Sequence, residues 1–152
     1  MKLFVFSSKN LTNIWAGIGA RMWAVPKGDE SWMKALKTRS ISMTVGSCGV
    51  FYCAETKSLT SPFLVYSTVD TDKIITKIWR ESWVFPFKIL PLGTPNRQLS
   101  IDDAFKKKLS ILRDSGKSNI TRVLHIPTVM AFTPNEISNH DWAAIIEVLA
   151  EK

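Results

Sequence analysis

Apolar and polar positions alternate along the chain in blocks short enough to read as separate elements. LFVFS (residues 3–7) is an apolar opening strand, stopped by the polar group Ser8, Lys9 and Asn10, and LTNIW after it allows a turn of helix. From Asp29 to Lys37 the spacing of Trp32, Met33 and Leu36 puts three apolar side chains on one helical face. Three strands follow: CGVFYC, then PFLVYSTV from Pro62, then SWVFPFKIL, where Pro86 demands an edge position or a bulge. Ser100-Ile-Asp-Asp103 has the form of a helix cap, and Ala104, Phe105, Leu109 and Leu112 recur at helical spacing up to Gly116. RVLHIP and TVMAF read as short extended pieces. Trp142, Ile145, Ile146 and Leu149 then mark a closing helix with Asn139 as its cap candidate.

Strands and helices mixed without regular βαβ alternation predict an α+β domain with a bent, barrel-like sheet and helices around it. At 152 residues and 45% hydrophobic, the chain suits one core, so residues 1–152 are expected to form a single domain. No apolar run is long enough to span a bilayer, and MKLFVFSS falls short of a signal peptide, so the expected location is the cytoplasm. Cys48 and Cys53 lie five apart in one strand and therefore point to opposite faces, as two buried free thiols.

Several chemistries drop out on spacing. Gly116-Lys117-Ser118 ends like a phosphate-binding loop, but Ile111 stands where its first glycine is needed. Gly17-Ile-Gly19 lacks the third glycine of a dinucleotide fingerprint and reads as a flexible turn. His125 and His140 have no partners at metal-ligand spacing, and no serine sits in a nucleophile elbow. Neither a cofactor nor a metal is implied.

A formal charge of +7 favours an anionic partner, although the run Lys106 to Lys108 reads most simply as a solvated helix face. Six tryptophans are the other unusual feature. Trp32, Trp83 and Trp142 fall on apolar faces and read as core. Trp23, between Arg21 and Pro26, and Trp79, beside Lys77, Arg80 and Glu81, sit off any clear apolar stripe in loop-like settings. Trp15 is left open between the two roles.

TVGSCGVFYC (44–53), SWVFPFKILPLG (82–93) and TVMAFTPNEISNHDWAAIIEVL, in this order, resemble the EVE domain of the PUA-like superfamily, which is related to the YTH readers of modified bases. FVFSSKN and the interval from Ser8 to Trp23 resemble the YTH pattern more specifically, and Trp79 falls where a second cage tryptophan is expected. The resemblance implies a PUA-like barrel and a non-catalytic domain that flips a modified base into an aromatic cage. Trp23 and Trp79 would grip the base, Trp15 is an alternate cage member, and Ser8, Lys9 and Asn13 would meet its edge. Arg21, Lys27 and Arg80 would contact the backbone. Ala24 and Lys9 differ from the residues common in YTH domains, which leaves open which base is read.

The leading expectation from the EVE resemblance is a reader of methylated or hydroxymethylated DNA, serving a modification-dependent restriction system with a fused or associated nuclease or NTPase. The alternatives are a module reading modified RNA, as PUA and YTH relatives do, and an ASCH-like hydrolase of modified nucleosides, for which Lys9 and Glu55 are the only fragments found. Stacking alone gives such a cage about 1 to 3 kcal/mol per base, and a buried methyl adds about 0.8 kcal/mol.

Overall fold

A computed structural model describes residues 1–101, 109–114 and 120–151. The opening strand β1 (Lys2–Ser8) leads into α1 (Leu11–Ala20), a helix of three turns. Gly17 and Gly19, expected in a flexible turn, lie inside it. The helix ends at Arg21, whose φ of 52° is the left-handed geometry that stops a helix and turns the chain into β2 (Met22–Pro26). Trp23 therefore lies on a strand, where a loop was expected.

The helix α2 (Glu30–Ser40) is capped by Asp29, and β3 (Cys48–Cys53) and β6 (Trp83–Pro91) fall where the apolar runs place them. Strand β4 (Ser58–Val65) begins before Pro62 and stops short of Tyr66. Short strands β5 (Ile74–Ile75), β7 (Gln98–Ser100) and β8 (Asn135–Glu136) have no apolar pattern of their own. Of the helix expected before Gly116, α3 (Ser110–Arg113) is described, while Ala104, Phe105 and Lys106 to Lys108 lie outside the described residues. RVLHIP and TVMAF are not strands: Ile120–Val123 form a helical turn, α4, and Thr128–Met130 a 3-10 turn. The closing helix α5 (Asn139–Leu149) is capped by Ser138, one residue before the expected cap.

The sheet runs β2-β6-β4-β3-β1-β8, with β5 on β6 and β7 on β4; β1 and β3 are parallel and the other pairs antiparallel. Its register shows how strongly it curls. Leu3, Cys48, Leu64 and Leu90 stand side by side across four strands. Trp83 lies seven positions before Leu90 and Ser8 five positions past Leu3, so a flat sheet would hold them roughly 40 Å apart along the strands. Yet Ser8 and Trp83 line the same cavity. The sheet closes towards a barrel, bending where Ser61 and Phe85 adopt positive φ beside shifts in register. Phe85 precedes Pro86, so the bulge is how β6 accommodates a proline away from the sheet edge.

The pleat divides the apolar residues into two cores. Phe4, Phe6, Phe51, Phe63 and Phe87 fill an aromatic interior beneath α1 and α2, while Leu3, Val5, Val50 and Leu59 face α3 and α5. Cys53 belongs to the first core and Cys48 to the second, as their odd spacing requires, and both are free thiols. Asp141, fully buried, holds α3 against α5: its carboxylate accepts from Ser110 N–H at 2.7 Å, Ser110 Oγ at 2.8 Å and Ile111 N–H at 3.0 Å.

Candidate base-binding cavity

A cavity of about 260 Å³ opens where β1, β3 and the start of β6 converge. That volume is just below the usual small-ligand range of ~300–1,000 Å³ and suits a compact group. Its polar side comes from the turn after β1. Ser8 Oγ donates to Asn10 C=O at 2.8 Å, and Asn10 Oδ1 accepts from Asn13 N–H at 2.8 Å to cap α1. These two bonds fix the turn, so that Ser8, Lys9 and Asn13 all reach the cavity. The carboxamide of Asn13 makes no hydrogen bond among the described residues and offers both a donor and an acceptor.

Its aromatic side comes from Trp79, in the loop before β6, and Trp83, the first residue of β6. The two indoles stack with centroids 4.1 Å apart and planes 10° from parallel. Trp79 Nε1–H donates to Asn13 C=O at 3.0 Å, so the polar turn and the aromatic wall are tied to each other. Contact distances near 3.5 Å on each face mean that a base between two rings needs roughly 7 Å. The gap between Trp79 and Trp83 is too small for that.

Trp23 stands elsewhere. It is 1% exposed, packs against Phe51 at 4.4 Å, and meets Trp79 and Trp83 edge-on, with planes 81° and 82° from theirs. Rings at such an angle cannot hold a planar base between parallel faces, so in this structure Trp23 supports the wall from behind. The close approach of α1 depends on Gly17, where a Cβ would lie 2.8 Å from the Trp23 ring. Trp79, expected in an open loop setting, is also buried, at 4% exposure, and Trp83, read as core, borders the cavity. Sequence spacing could not reveal this second role, because the first residue of an apolar strand looks alike whether its outer face meets core or cavity.

Trp15 is 43% exposed on α1 and, like Arg21 and Lys27, is not among the residues lining the cavity. Arg80 lines it, together with Glu81, Pro26, Ala54 and Thr128. Lys9, Arg80 and Glu81 make no ion pairs among the described residues. No cluster of three or more His, Cys, Asp or Glu side chains among the described residues could hold a metal.

No family model matches the sequence, and no curated protein does. Solved structures do. The Pho92 YTH domain in complex with m6A is similar over 99% of this chain and 87% of its own, at 15% identity and a TM-score of 0.58. The fold is YTH-like. The YTH domain of Zygosaccharomyces rouxii MRB1, in complex with N6-methyladenosine RNA, is similar over 74% of this chain and 69% of its own, at 18% identity and a TM-score of 0.51. Further matched YTH-domain structures are spanned over 51 to 66% of their length. The α+β class and curled sheet expected from the sequence agree with this likeness, which does not single out the EVE family within the PUA-like group.

Proposed function

We propose that this chain is a non-catalytic reader of modified RNA that takes one flipped, methylated base into the cavity beside Trp79 and Trp83. The observation that carries the reading is the composition of that cavity: the stacked indoles of Trp79 and Trp83 together with Ser8, Lys9 and the Asn13 carboxamide, which makes no hydrogen bond among the described residues. A nucleobase has the same division, with two apolar faces and a hydrogen-bonding edge. Stacking supplies affinity for any base, at about 1 to 3 kcal/mol, and the edge contacts supply the choice among bases.

Adenine methylated at N6 keeps a ring-nitrogen acceptor on its edge, which suits Lys9, and an N–H donor, which suits the Asn13 carbonyl oxygen. RNA takes precedence over the modified DNA expected from the EVE resemblance because two matched YTH-domain structures with TM-scores above 0.5 were solved with m6A or N6-methyladenosine RNA. Arg80 lines the cavity without a carboxylate partner among the described residues and would meet a phosphate beside the flipped nucleotide. A binding screen of the purified chain against matched RNA and DNA oligonucleotides, each with one modified base, tests the proposal. RNA carrying N6-methyladenine should head the ranking; a clear lead for DNA carrying modified cytosine would overturn the choice of RNA.

A further inference from the structure

The segment from Pro127 to Thr133 walls the cavity through Thr128. Its backbone hydrogen bonds are internal: Met130 N–H donates to Pro127 C=O, Ala131 N–H to Thr128 C=O and Thr133 N–H to Met130 C=O. Among the described residues, the hydrogen bonds that reach it from elsewhere come from one side chain. Arg39, in the last turn of α2, donates from Nη1 to Thr133 Oγ1 at 3.0 Å and from Nη2 to Val129 C=O at 2.9 Å. Arg39 is half-buried and has no carboxylate partner among the described residues, so its fork is given to these two acceptors.

The apolar anchor of the same segment is Phe132, 1% exposed and packed against Phe6 at 5.3 Å and Phe87 at 6.0 Å. Phe132 holds the segment near its end, and Arg39 grips it on both sides of Phe132, at Thr133 and at Val129 next to the cavity-lining Thr128. Thr128 also borders a small void of about 10 Å³ against Trp23, which shares Ser7 and Pro26 with the main cavity. A shift of Thr128 therefore changes both the width of the cavity and its separation from Trp23.

We propose that Arg39 is a positioning residue for the cavity, fixing the 127–133 wall through its two-pronged grip; the inference rests on reading the cavity as a base site. A lysine would keep the charge but present one ammonium in place of a planar fork, and could not hold both acceptors in the same geometry. Loosening the wall adds an ordering cost to binding, and that cost falls most heavily on the ligand that fits most closely.

The test compares the intact chain with Arg39→Lys and Arg39→Ala. Each is titrated with two RNAs identical except for one N6-methyladenine, over a range of salt, while amide exchange is followed at Met130, Ala131 and Thr133. Both variants should exchange faster at these amides, and the preference for methylated over unmethylated RNA should fall by about threefold to tenfold with the salt slope unchanged. A ratio of affinities is insensitive to the fraction of protein folded, so a merely stabilising role would leave it in place. An unchanged ratio in both variants would overturn the inference alone. So would full rescue by lysine with a smaller salt slope for Arg39→Ala, which would make Arg39 a phosphate contact. Failure of the unaltered chain to prefer methylated RNA would overturn the reading of the cavity and the inference with it.

Discussion

Replacing Trp79 by phenylalanine separates the two tasks of that indole, because phenylalanine keeps an aromatic face and loses the N–H. Trp79 is 4% exposed, stacks on Trp83 at 4.1 Å and donates to Asn13 C=O at 3.0 Å. Loss of the hydrogen bond should cost about 1 kcal/mol. The smaller ring forfeits part of the packing, which brings the total to roughly 1 to 3 kcal/mol. For a domain of this size each kcal/mol corresponds to about 2–4 °C in Tm, so melting should fall by about 2 to 12 °C. Trp79→Ala also removes the face and opens a cavity, and should cost about 3 to 5 kcal/mol. Denaturant unfolding measures these values, and fluorescence anisotropy with labelled methylated RNA measures binding. The Trp79→Phe variant should keep affinity within about tenfold, whereas the alanine variant should lose roughly 1 to 3 kcal/mol of binding. Equal binding loss in both variants would refute the stacking role, since the hydrogen bond to Asn13 would then be the part that matters. Full binding by the folded alanine variant would remove Trp79 from the site.

Trp23→Ala should cost about 3 to 5 kcal/mol in denaturant unfolding, and Gly17→Ala about 1 to 3 kcal/mol because its Cβ would lie 2.8 Å from the Trp23 ring. RNA affinity should fall linearly with salt on logarithmic axes, and Arg80→Gln should shallow the slope by about 0.7, the share of one phosphate; titrations at several salt concentrations read this directly. Burial raises the Cys48 thiol above its usual 9.0, and burial followed by the neighbouring Cys53 raises the Tyr52 hydroxyl above 10.0. The folded state thus binds these protons more tightly than the unfolded state, so the contribution of these two groups to stability should be level just below pH 9 and fall as pH rises through 9 and 10, with Cys48→Ala flattening the first part in urea melts.

The elements with the strongest periodicity were legible in the sequence: the apolar runs of β1, β3 and β6, and the α2 and α5 faces, stand where the pattern puts them. Strands of two or three residues such as β5 and β8 carry no period and exist through pairing with longer neighbours. The stretch around Trp23 reads as a loop because Arg21 and Pro26 bracket it, yet pairing with β6 makes it a strand. In TVMAF the apolar residues follow a strand-like pattern, but the chain there closes its hydrogen bonds within a 3-10 turn and leaves Val129 64% exposed. Local polarity around Trp79 marked it as unusual, and the structure puts it beside Ser8, Lys9, Asn13 and Arg80. The same cue misjudged its burial. Its charged neighbours are exposed while the indole between them is buried, and only the tertiary hydrogen bond to Asn13 shows where it goes. Arg39 carried no signal at all, since both its acceptors lie 90 or more residues away.

The most direct test of a methylated base held against Trp79 and Trp83 is an NMR titration that follows the six indole N–H resonances. The titrants are two RNAs that differ by one methyl group on one adenine. Methylated RNA should bind at least about fourfold more tightly, the factor given by about 0.8 kcal/mol for a buried methyl. Its ring currents should move the Trp79 and Trp83 signals, while that of Trp142, packed on the other core, stays in place. Equal affinities for the two RNAs, or shifts confined to the exposed Trp15 with Trp79 and Trp83 unmoved, would contradict the account.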